Sequence, residues 1–376
     1  MKKKILIVAR WPVGGINTYM RYIYSDPCFS SYQLDFLLPE CDEVRLVEKE
    51  LCGSNIKVLA VSGGGAAFYR MILKQIIFCN YDLVHSHGFS SALVTAIPAY
   101  IFPCKHIVTL HDVFSDKHFF GIKGKIKKYV FGKLLGMVDV LQTVSDGAEK
   151  NLLEYMPSLC KPAKHRVMTI INGIDVNRFA FVKARDLKSE LGLQRDVFLM
   201  GFMGRFMSQK GFVYLVQALK HLLLNPEIKG KIKLVAVGSG GHVREEKDWI
   251  QSNGMQNDVL FMPATPKAGE TLKGLDLLVM PSLWEACSLL AMEALVAGVP
   301  VVGTSCIGLG EVLDGSPAKI VKPRDVDSLK EEIYNHYLDN RRQEFEVYAK
   351  IAKHRFDVKN VIKSLDTLYK QELGIK

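Results

Sequence analysis

Short apolar runs alternate with helix-period segments along the whole chain. Runs such as Lys4–Ala9 and Ile232–Val237 are apolar at all but one position, which is typical of strands buried on both faces of a parallel sheet. Helical segments such as Phe68–Phe78 and Phe212–Leu224 lie between these runs. Further predicted strands are Leu34–Leu38, Ile56–Val61, Leu83–His85, His106–Leu110, Val138–Thr143, Val167–Ile171, Asp196–Phe202, Val259–Met262, Leu275–Met280, Val299–Val302 and Ala318–Val321. The alternation predicts an α/β protein with parallel sheets.

The length of 376 residues is enough for two domains. The stretch Asp175–Arg195 is polar and weakly periodic, so we interpret it as a linker. This predicts a first domain over residues 1–178 and a second over residues 179–353. Residues 354–376 contain a last helical pattern, which we expect to pack back on the first domain.

Composition and charge exclude several classes of protein. The net charge is +10, with most of the basic excess in the first half, which favours an anionic ligand or surface there. The basic residues are not interleaved with stacking aromatics, so nucleic-acid binding is not expected. The eight cysteines include no C-x-x-C pair, which argues against a zinc site. The scattered single cysteines favour reduced thiols in a cytoplasmic protein, and no apolar run reaches the roughly 20 residues of a membrane helix.

The segment 117–135 combines many lysines with apolar residues. Ile122, Ile126 and Tyr129 follow helical spacing, and lysines separate them. One hypothesis is a basic amphipathic helix that lies on an anionic membrane surface, at the inner face of the plasma membrane. The alternative is a helix that packs into the core and exposes only its basic face.

The stretch 281–302 is predicted to form a loop, a helix and a strand. Ser288 is placed to cap the helix, whose first free N–H groups belong to Leu289 and Leu290. Gly298 supplies the stop signal at the other end. A helix start of this kind is suited to binding an anion.

Two glutamates flank this helix start, Glu285 in the loop and Glu293 on the helix. Two acids beside an anion site suggest a ligand with a phosphate group between two polyols. A nucleotide sugar fits, with Glu293 on ribose hydroxyls and Glu285 on sugar hydroxyls. The alternative is that Glu293 is a solvated helix residue and Glu285 an ordinary loop charge.

Other loops after predicted strands carry candidate ligand groups. Arg205 and Lys210 lie in a glycine-flanked loop and could hold a diphosphate; the alternative is two solvated cations. Gly14 and Gly15 follow the first strand and would let backbone approach a ligand, although they also suit a plain strand-to-helix turn. His111 ends a clear strand and precedes an acid, and the alternative for it is a structural histidine.

These motifs together resemble a known family. Gly14-Gly15, the Arg205 to Lys210 loop, and Glu285-x7-Glu293 followed by Ala-Gly-Val-Pro-Val-Val are similar to the retaining glycosyltransferases of family GT4. The resemblance covers most of the chain. It implies a GT-B fold, in which two Rossmann-like parallel-sheet domains face a central cleft.

The resemblance also implies roles for individual residues. Arg205 and Lys210 would hold the donor diphosphate, Glu293 the ribose, and Glu285 the transferred sugar. His111 would lie near the reacting sugar. The resemblance implies that no Asp-x-Asp metal motif is needed, and none is present in these loops, so no metal and no cofactor are expected. The donor would be a UDP- or GDP-linked sugar. Ala286-Cys287-Ser288 stands where the family often has glycines, which leaves the donor's identity open.

The implied reaction is transfer of a sugar to a glycan or lipid-linked acceptor in cell-envelope polysaccharide synthesis. Two other functions are weighed against it. A catalytically inactive GT-B-like protein would bind the sugar nucleotide without turnover. A nucleotide-sugar epimerase would release a free epimer without any acceptor.

Overall fold

The chain forms two compact units, each built on a parallel sheet. The computed structural model describes residues 2–51, 55–102, 104–160 and 166–375. One unit holds the described residues up to Gly173 together with those from Val358 onward, and the other is Ile174–Asp357. The predicted α/β class with parallel sheets is confirmed.

The first unit contains a seven-stranded sheet among its described residues, with the order β3-β2-β1-β4-β5-β6-β7 and parallel pairing throughout. Its strands are β1 (Lys4–Ala9), β2 (Gln33–Pro39), β3 (Ile56–Val61), β4 (Leu83–His87), β5 (Lys105–Leu110), β6 (Val140–Thr143) and β7 (Arg166–Thr169). Its first helices are α1 (Gly15–Tyr24), α2 (Asp42–Glu50), α3 (Gly64–Phe78), α4 (Phe89–Ile101), α5 (Gly121–Leu135) and α6 (Asp146–Tyr155).

The second unit contains a six-stranded parallel sheet in the part that the structure describes, with the order β10-β9-β8-β11-β12-β13. Its strands are β8 (Phe198–Met203), β9 (Ile232–Val237), β10 (Val259–Met262), β11 (Leu277–Met280), β12 (Val301–Thr304) and β13 (Lys319–Val321). Its helices are α7 (Asn177–Ala180), α8 (Leu187–Glu190), α9 (Phe212–Leu222), α10 (Val243–Ser252), α11 (Ala268–Lys273), α12 (Leu289–Ala297), α13 (Gly310–Leu313), α14 (Val326–Leu338) and α15 (Arg342–Arg355).

The last helix, α16 (Val358–Leu373), belongs to the first unit. Its Tyr369 lies in the same buried cluster as Ile5 and Phe36 of the first sheet. Asp366 accepts a hydrogen bond from the hydroxyl of Tyr32 at 2.7 Å. The helix is therefore attached by apolar burial and by a buried polar contact, and it packs beside α1 and the segment that precedes β2.

The unit boundaries differ from the predicted ones. The first boundary lies before Ile174 and the second after Asp357, and these two residues pair with each other in a β-bridge. The predicted boundary at 353/354 would cut α15 before its end. The predicted linker is also wrong in part, because Phe179 and Leu187 within it are buried in the second unit.

The basic segment forms helix α5, as its spacing predicts, but three of its apolar side chains do not enter the core. Ile122, Ile126 and Tyr129 are 79%, 60% and 67% exposed. Gly124 and Leu135 are the residues of α5 that are buried. The alternative of a core-packed helix is therefore wrong for the three exposed side chains.

Candidate active site

The loops after β8 and β11 are joined at the carboxyl edge of the second sheet. The N–H of Leu283 donates to the carbonyl of Gln209 at 2.8 Å, and the Gln209 side chain donates to the carbonyl of Trp284 at 2.8 Å. Gly211 has φ +64°, and a Cβ there would overlap the carbonyl oxygen of Pro281. This close backbone approach brings the predicted cationic loop against the loop that carries the first glutamate.

Lys210 and Glu285 form an ion pair in this setting. The Lys210 Nζ lies 2.6 Å from Glu285 Oε1, and the Ser282 hydroxyl donates to the same oxygen at 2.8 Å. Glu285 is buried, so its charge is compensated by a cation and a hydroxyl group. Lys210, which is predicted to bind the diphosphate, and Glu285, which is predicted to bind the sugar, are thus in direct contact.

Arg205, from the same loop as Lys210, is exposed. Among the described residues, its guanidinium forms no ion pair with a carboxylate. An exposed, uncompensated guanidinium keeps all of its donors available to an anion.

Helix α12 begins at Leu289, as predicted, with Ser288 at the N-cap position. The Ser288 side chain makes no capping hydrogen bond, which corrects the predicted role of its hydroxyl. Its backbone N–H is directed instead to the carbonyl of Gly308 at 3.4 Å. The first N–H groups of α12, those of Leu289 and Leu290, are therefore not occupied by a side-chain cap.

Glu293 lies in the second turn of α12 and is half-buried. Burial raises the pKa of its carboxyl to about 7. No hydrogen bond or ion pair to this carboxyl is found within the described part of the chain. Glu293 therefore differs from Glu285, because it lacks a cation that would stabilise its charged form. The partial burial of Glu293 does not fit the alternative of an ordinary solvated helix residue.

The site residues of the first unit lie at the carboxyl edge of the first sheet. Gly14 precedes α1 with φ +58°, and a Cβ on Gly15 would meet no atom within 4 Å. His111 follows β5 and is half-buried, and burial lowers the pKa of its ring to about 3. Its Nε2 lies 3.0 Å from Nδ1 of His87 at the end of β4. His111 is therefore a neutral imidazole with one ring nitrogen already in use.

Most of the polar residues behind His111 were not predicted from the sequence. Tyr19 lies edge-on to the His111 ring, with centroids 4.9 Å apart, and Tyr24 contacts His87. The only available signal was the pair of histidines at the end of β4, since the tyrosines read as ordinary apolar-face residues of a helix.

Neither a metal-binding cluster nor a membrane-spanning helix is found among the described residues. Over residues 2–51, 55–102, 104–160 and 166–375, no group of three His, Cys, Asp or Glu side chains is arranged to hold a metal ion. In the same ranges, no helix combines the length and the apolar character that crossing a membrane requires.

Two protein families match the chain, one over its first half and one over its second half. The family described as glycosyltransferase family 4 matches residues 13–178. The family described as glycosyl transferases group 1 matches residues 183–354. The two matches together cover most of the chain.

Curated relatives have related descriptions. The chain is 28% identical over 261 residues to an uncharacterized glycosyltransferase of Methanocaldococcus jannaschii, covering 66% of this chain and 64% of that protein. It therefore spans slightly less than two thirds of that relative. It is 26% identical over 299 residues to the UDP-Gal:alpha-D-GlcNAc-diphosphoundecaprenol alpha-1,3-galactosyltransferase of Escherichia coli, covering 76% of this chain and 73% of that one.

Solved structures share the fold at low identity. Anabaena HepE in complex with UDP-glucose has a TM-score of 0.82 and 20% identity, covering 98% of this chain and 99% of that chain. WaaG, a glycosyltransferase involved in lipopolysaccharide biosynthesis, has a TM-score of 0.73 and 15% identity, covering 97% and 99%. The two Rossmann-like units are those of GT-B glycosyltransferases, and with both family matches this chain belongs to the group 1 glycosyltransferases of family 4.

Proposed function

We propose that the chain catalyses the transfer of a sugar from a nucleotide diphosphate sugar to a glycan or lipid-linked acceptor. The observation that carries this proposal is the Lys210–Glu285 pair beside the start of α12. A buried acid suited to sugar hydroxyls and a cation suited to phosphate are in direct contact there. The E. coli relative, whose name includes UDP-Gal and a diphosphoundecaprenol acceptor, supports this class of substrates.

The donor roles follow from the charge of each group. Arg205 and Lys210 would neutralise the diphosphate, assisted by the N–H groups of Leu289 and Leu290 at the start of α12. Glu293 would accept hydrogen bonds from ribose hydroxyls, and Glu285 from hydroxyls of the sugar. Anabaena HepE was solved with UDP and with UDP-glucose, so uridine is our first choice of base.

The proposed reaction retains the anomeric configuration and uses no metal. The bond from the sugar to the diphosphate breaks while the acceptor hydroxyl attacks from the same face, and the leaving phosphate takes the hydroxyl proton. In this scheme the protein positions both substrates and stabilises charge on the leaving group. Arg205 and Lys210 supply that positive charge, and Gly14 and Gly15 leave room for the donor beside α1.

The donor assignment is tested by substitution and by assay of nucleotide release from UDP-sugars. We expect Glu285→Gln to lower kcat at least about 100-fold, since an interaction made in the transition state is lost. Arg205→Ala with Lys210→Ala should raise KM for the donor. Arg244→Ala is the matched control, because this arginine is highly exposed on α10. Full activity of the Glu285 variant would contradict the assignment, and release of a free epimer without acceptor would indicate an epimerase.

We also propose that the first unit attaches to an anionic membrane surface, where a lipid-linked acceptor would be found. On α5, Ile122 and Ile126 are exposed among lysines. Helix α4 packs beside α5 and adds exposed Tyr100 and Ile101. Exposed apolar side chains bordered by basic residues combine the two attractions of a peripheral membrane protein. The proposed place is the inner face of the plasma membrane, as part of cell-envelope polysaccharide synthesis.

A vesicle sedimentation assay tests this attachment. The protein should pellet with anionic vesicles and remain in solution with neutral ones. Ile122→Ser with Ile126→Ser should weaken binding about tenfold or more, because two apolar side chains no longer enter the interface. Val347→Ser with Ile351→Ser is the control, since both side chains are similarly exposed on α15. Equal binding to both kinds of vesicle, or none, would refute the proposal.

A further inference from the structure

A chain of buried polar side chains runs behind His111 in the first unit. At its inner end, the Thr109 hydroxyl donates to Gln142 Oε1 at 2.7 Å. Thr109 Oγ1 also lies 2.7 Å from His85 Nε2. The other ring nitrogen of His85, Nδ1, lies 2.6 Å from the hydroxyl of Tyr369 on α16. Gln142, Thr109, His85 and Tyr369 are all buried, so each polar atom depends on its protein partner.

The positions of the protons in this inner part follow from donor and acceptor rules. Thr109 gives its only proton to Gln142, so it accepts from the Nε2–H of His85. Burial lowers the pKa of His85 well below its ordinary value, with neighbouring histidines adding to the effect, so the ring carries one proton. His85 Nδ1 is therefore bare and accepts the proton of the Tyr369 hydroxyl.

The outer part connects Tyr369 to His111. The Tyr24 hydroxyl lies 3.1 Å from Tyr369 Oη and 3.1 Å from His87 Nε2. His87 Nδ1 lies 3.0 Å from His111 Nε2. Tyr369 has already given its proton to His85, so the Tyr24 proton decides the direction of the remaining hydrogen bonds.

The Tyr24 hydroxyl also lies 3.1 Å from His85 Nδ1, but that nitrogen already accepts the shorter hydrogen bond from Tyr369 at 2.6 Å. Two directions therefore remain for the Tyr24 proton. If Tyr24 donates to His87 Nε2, then His87 donates from Nδ1 to His111 Nε2, and His111 carries its proton on Nδ1. If Tyr24 donates to Tyr369, both histidines adopt the opposite tautomer. A phenol O–H is a better donor than an imidazole N–H, and an imidazole nitrogen is a better acceptor than a phenol oxygen. The first direction is therefore favoured.

We propose that Tyr24 and His87, anchored by Tyr369, are positioning residues that hold His111 as the neutral tautomer protonated on Nδ1. Because Nε2 is bonded to His87, Nδ1 is the ring nitrogen that remains for a ligand. His111 then donates a hydrogen bond to an oxygen of the sugar and does not accept a proton from the acceptor hydroxyl. This step rests on the proposed function for its ligand, whereas the tautomer itself rests only on the hydrogen bonds of the first unit.

The ring of Tyr19 supports the same arrangement by packing. Its centroid lies 4.9 Å from that of His111, at 75°, and 5.4 Å from that of His87. Contact with both rings limits their rotation, so the nitrogen of His111 that faces His87 stays the same. Burial also lowers the pKa of His87 well below its ordinary value, with His85 and His111 as lesser causes, which keeps it a neutral link.

Nitrogen-15 NMR of histidine-labelled protein tests the tautomer, with His111→Asn to assign the resonances. We expect His111 to have a protonated Nδ1 and a bare Nε2 in the wild type. Tyr24→Phe removes the deciding donor and should shift His111 towards the Nε2–H form. Tyr32→Phe is the matched control, since it removes a buried tyrosine hydroxyl that also bonds to α16 but touches none of the three histidines. A wild-type His111 protonated on Nε2, or an unchanged tautomer in Tyr24→Phe, would overturn the proposal.

Kinetics provide the second measurement. Tyr24→Phe should lower kcat about tenfold with little change in KM for the donor, because one oriented hydrogen bond is weakened. Tyr32→Phe should leave the kinetics unchanged. If the wild type transfers no sugar, the proposed function fails, while the tautomer measurement still decides the arrangement of the histidines. If Tyr24→Phe does not fold, the nitrogen-15 spectra of the wild type and of Tyr369→Phe decide the tautomer of His111.

Discussion

Replacing Glu293 with glutamine should stabilise the second unit at alkaline pH. The carboxyl is half-buried on α12, and burial raises its pKa to about 7 from the ordinary value of 4.5. Among the described residues, no cation compensates its charge. The ionised form is thus penalised in the folded state, and glutamine, which is nearly isosteric, removes that penalty.

The size of the effect follows from the pKa difference. A difference of one in pKa corresponds to about 1.4 kcal/mol, so the two values give an upper bound of about 3 kcal/mol. Partial exposure of Glu293 reduces this to about 1–2 kcal/mol, because solvent screens the charge. The folded state holds its proton more tightly than the unfolded state. The stabilising contribution of the protonated form is therefore complete below pH 4.5 and is lost as the pH rises through 7.

Urea unfolding at pH 5 and at pH 8.5 measures this contribution. The free energy of unfolding of Glu293→Gln, relative to the wild type, should rise by about 1–2 kcal/mol between these pH values. Glu331→Gln is the control, because Glu331 is exposed on α14, and its difference from the wild type should stay nearly constant. An equal difference at both pH values for Glu293→Gln would refute the reasoning from burial.

Three further predictions concern ligand binding, a backbone contact and the last helix. UDP binding at pH 7 should release roughly half a proton if Glu293 ionises to accept hydrogen bonds from the ribose hydroxyls. Calorimetry in buffers of different ionisation enthalpy measures this proton release, and no release would exclude ionisation of Glu293. Gly211→Ala should destabilise the second unit by more than about 2 kcal/mol in urea unfolding, because its Cβ would overlap a backbone carbonyl. The control is Gly192→Ala, where φ is also positive at +66° but a Cβ would meet no atom within 4 Å. This control variant should lower the free energy of unfolding by about 1 kcal/mol. Burial would raise the pKa of Asp366, but hydrogen bonds, chiefly from Lys370, lower it below 3.8. Asp366→Asn should therefore lower the free energy of unfolding by about 1–2 kcal/mol at pH 7. The difference in this free energy between the variant and the wild type should shrink as the pH falls below 3.8.

The strands were the most predictable part of the fold. Lys4–Ala9 and Ile232–Val237 have the predicted bounds, because strands buried on both faces require largely apolar runs. The edge strand Ile56–Val61 also has its predicted bounds, although its side chains are only partly buried. Helices α2 (Asp42–Glu50) and α10 (Val243–Ser252) were missed, since these helices are rich in charged residues. Their few apolar residues do follow helical spacing, but the surrounding charged residues make each segment polar as a whole.

The sequence predicted which loops carry the residues of the candidate site, but not which side chains contact each other. The positions of Arg205, Lys210 and Glu285 after strands followed from the rule that ligands bind at the carboxyl ends of parallel strands. The hydrogen bond between His85 and Tyr369 joins residues 284 positions apart, and nothing local in the sequence indicates such a pair. Long-range side-chain partners depend on packing of the whole unit, which periodicity does not encode.

The two glutamates show what the structure adds to the sequence motif. Their spacing predicted one acid in a loop and one on a helix, but it could not predict their charge compensation. Glu285 is bonded to Lys210 at 2.6 Å, whereas Glu293 has a raised pKa because burial is not offset by a cation. A diphosphate that attracts Lys210 would therefore weaken the hold of that lysine on Glu285 and free the carboxylate for sugar hydroxyls. Under the proposed function, binding of the phosphates and binding of the sugar would in this way be coupled through one lysine, and the two acids of the motif would have different electrostatic roles.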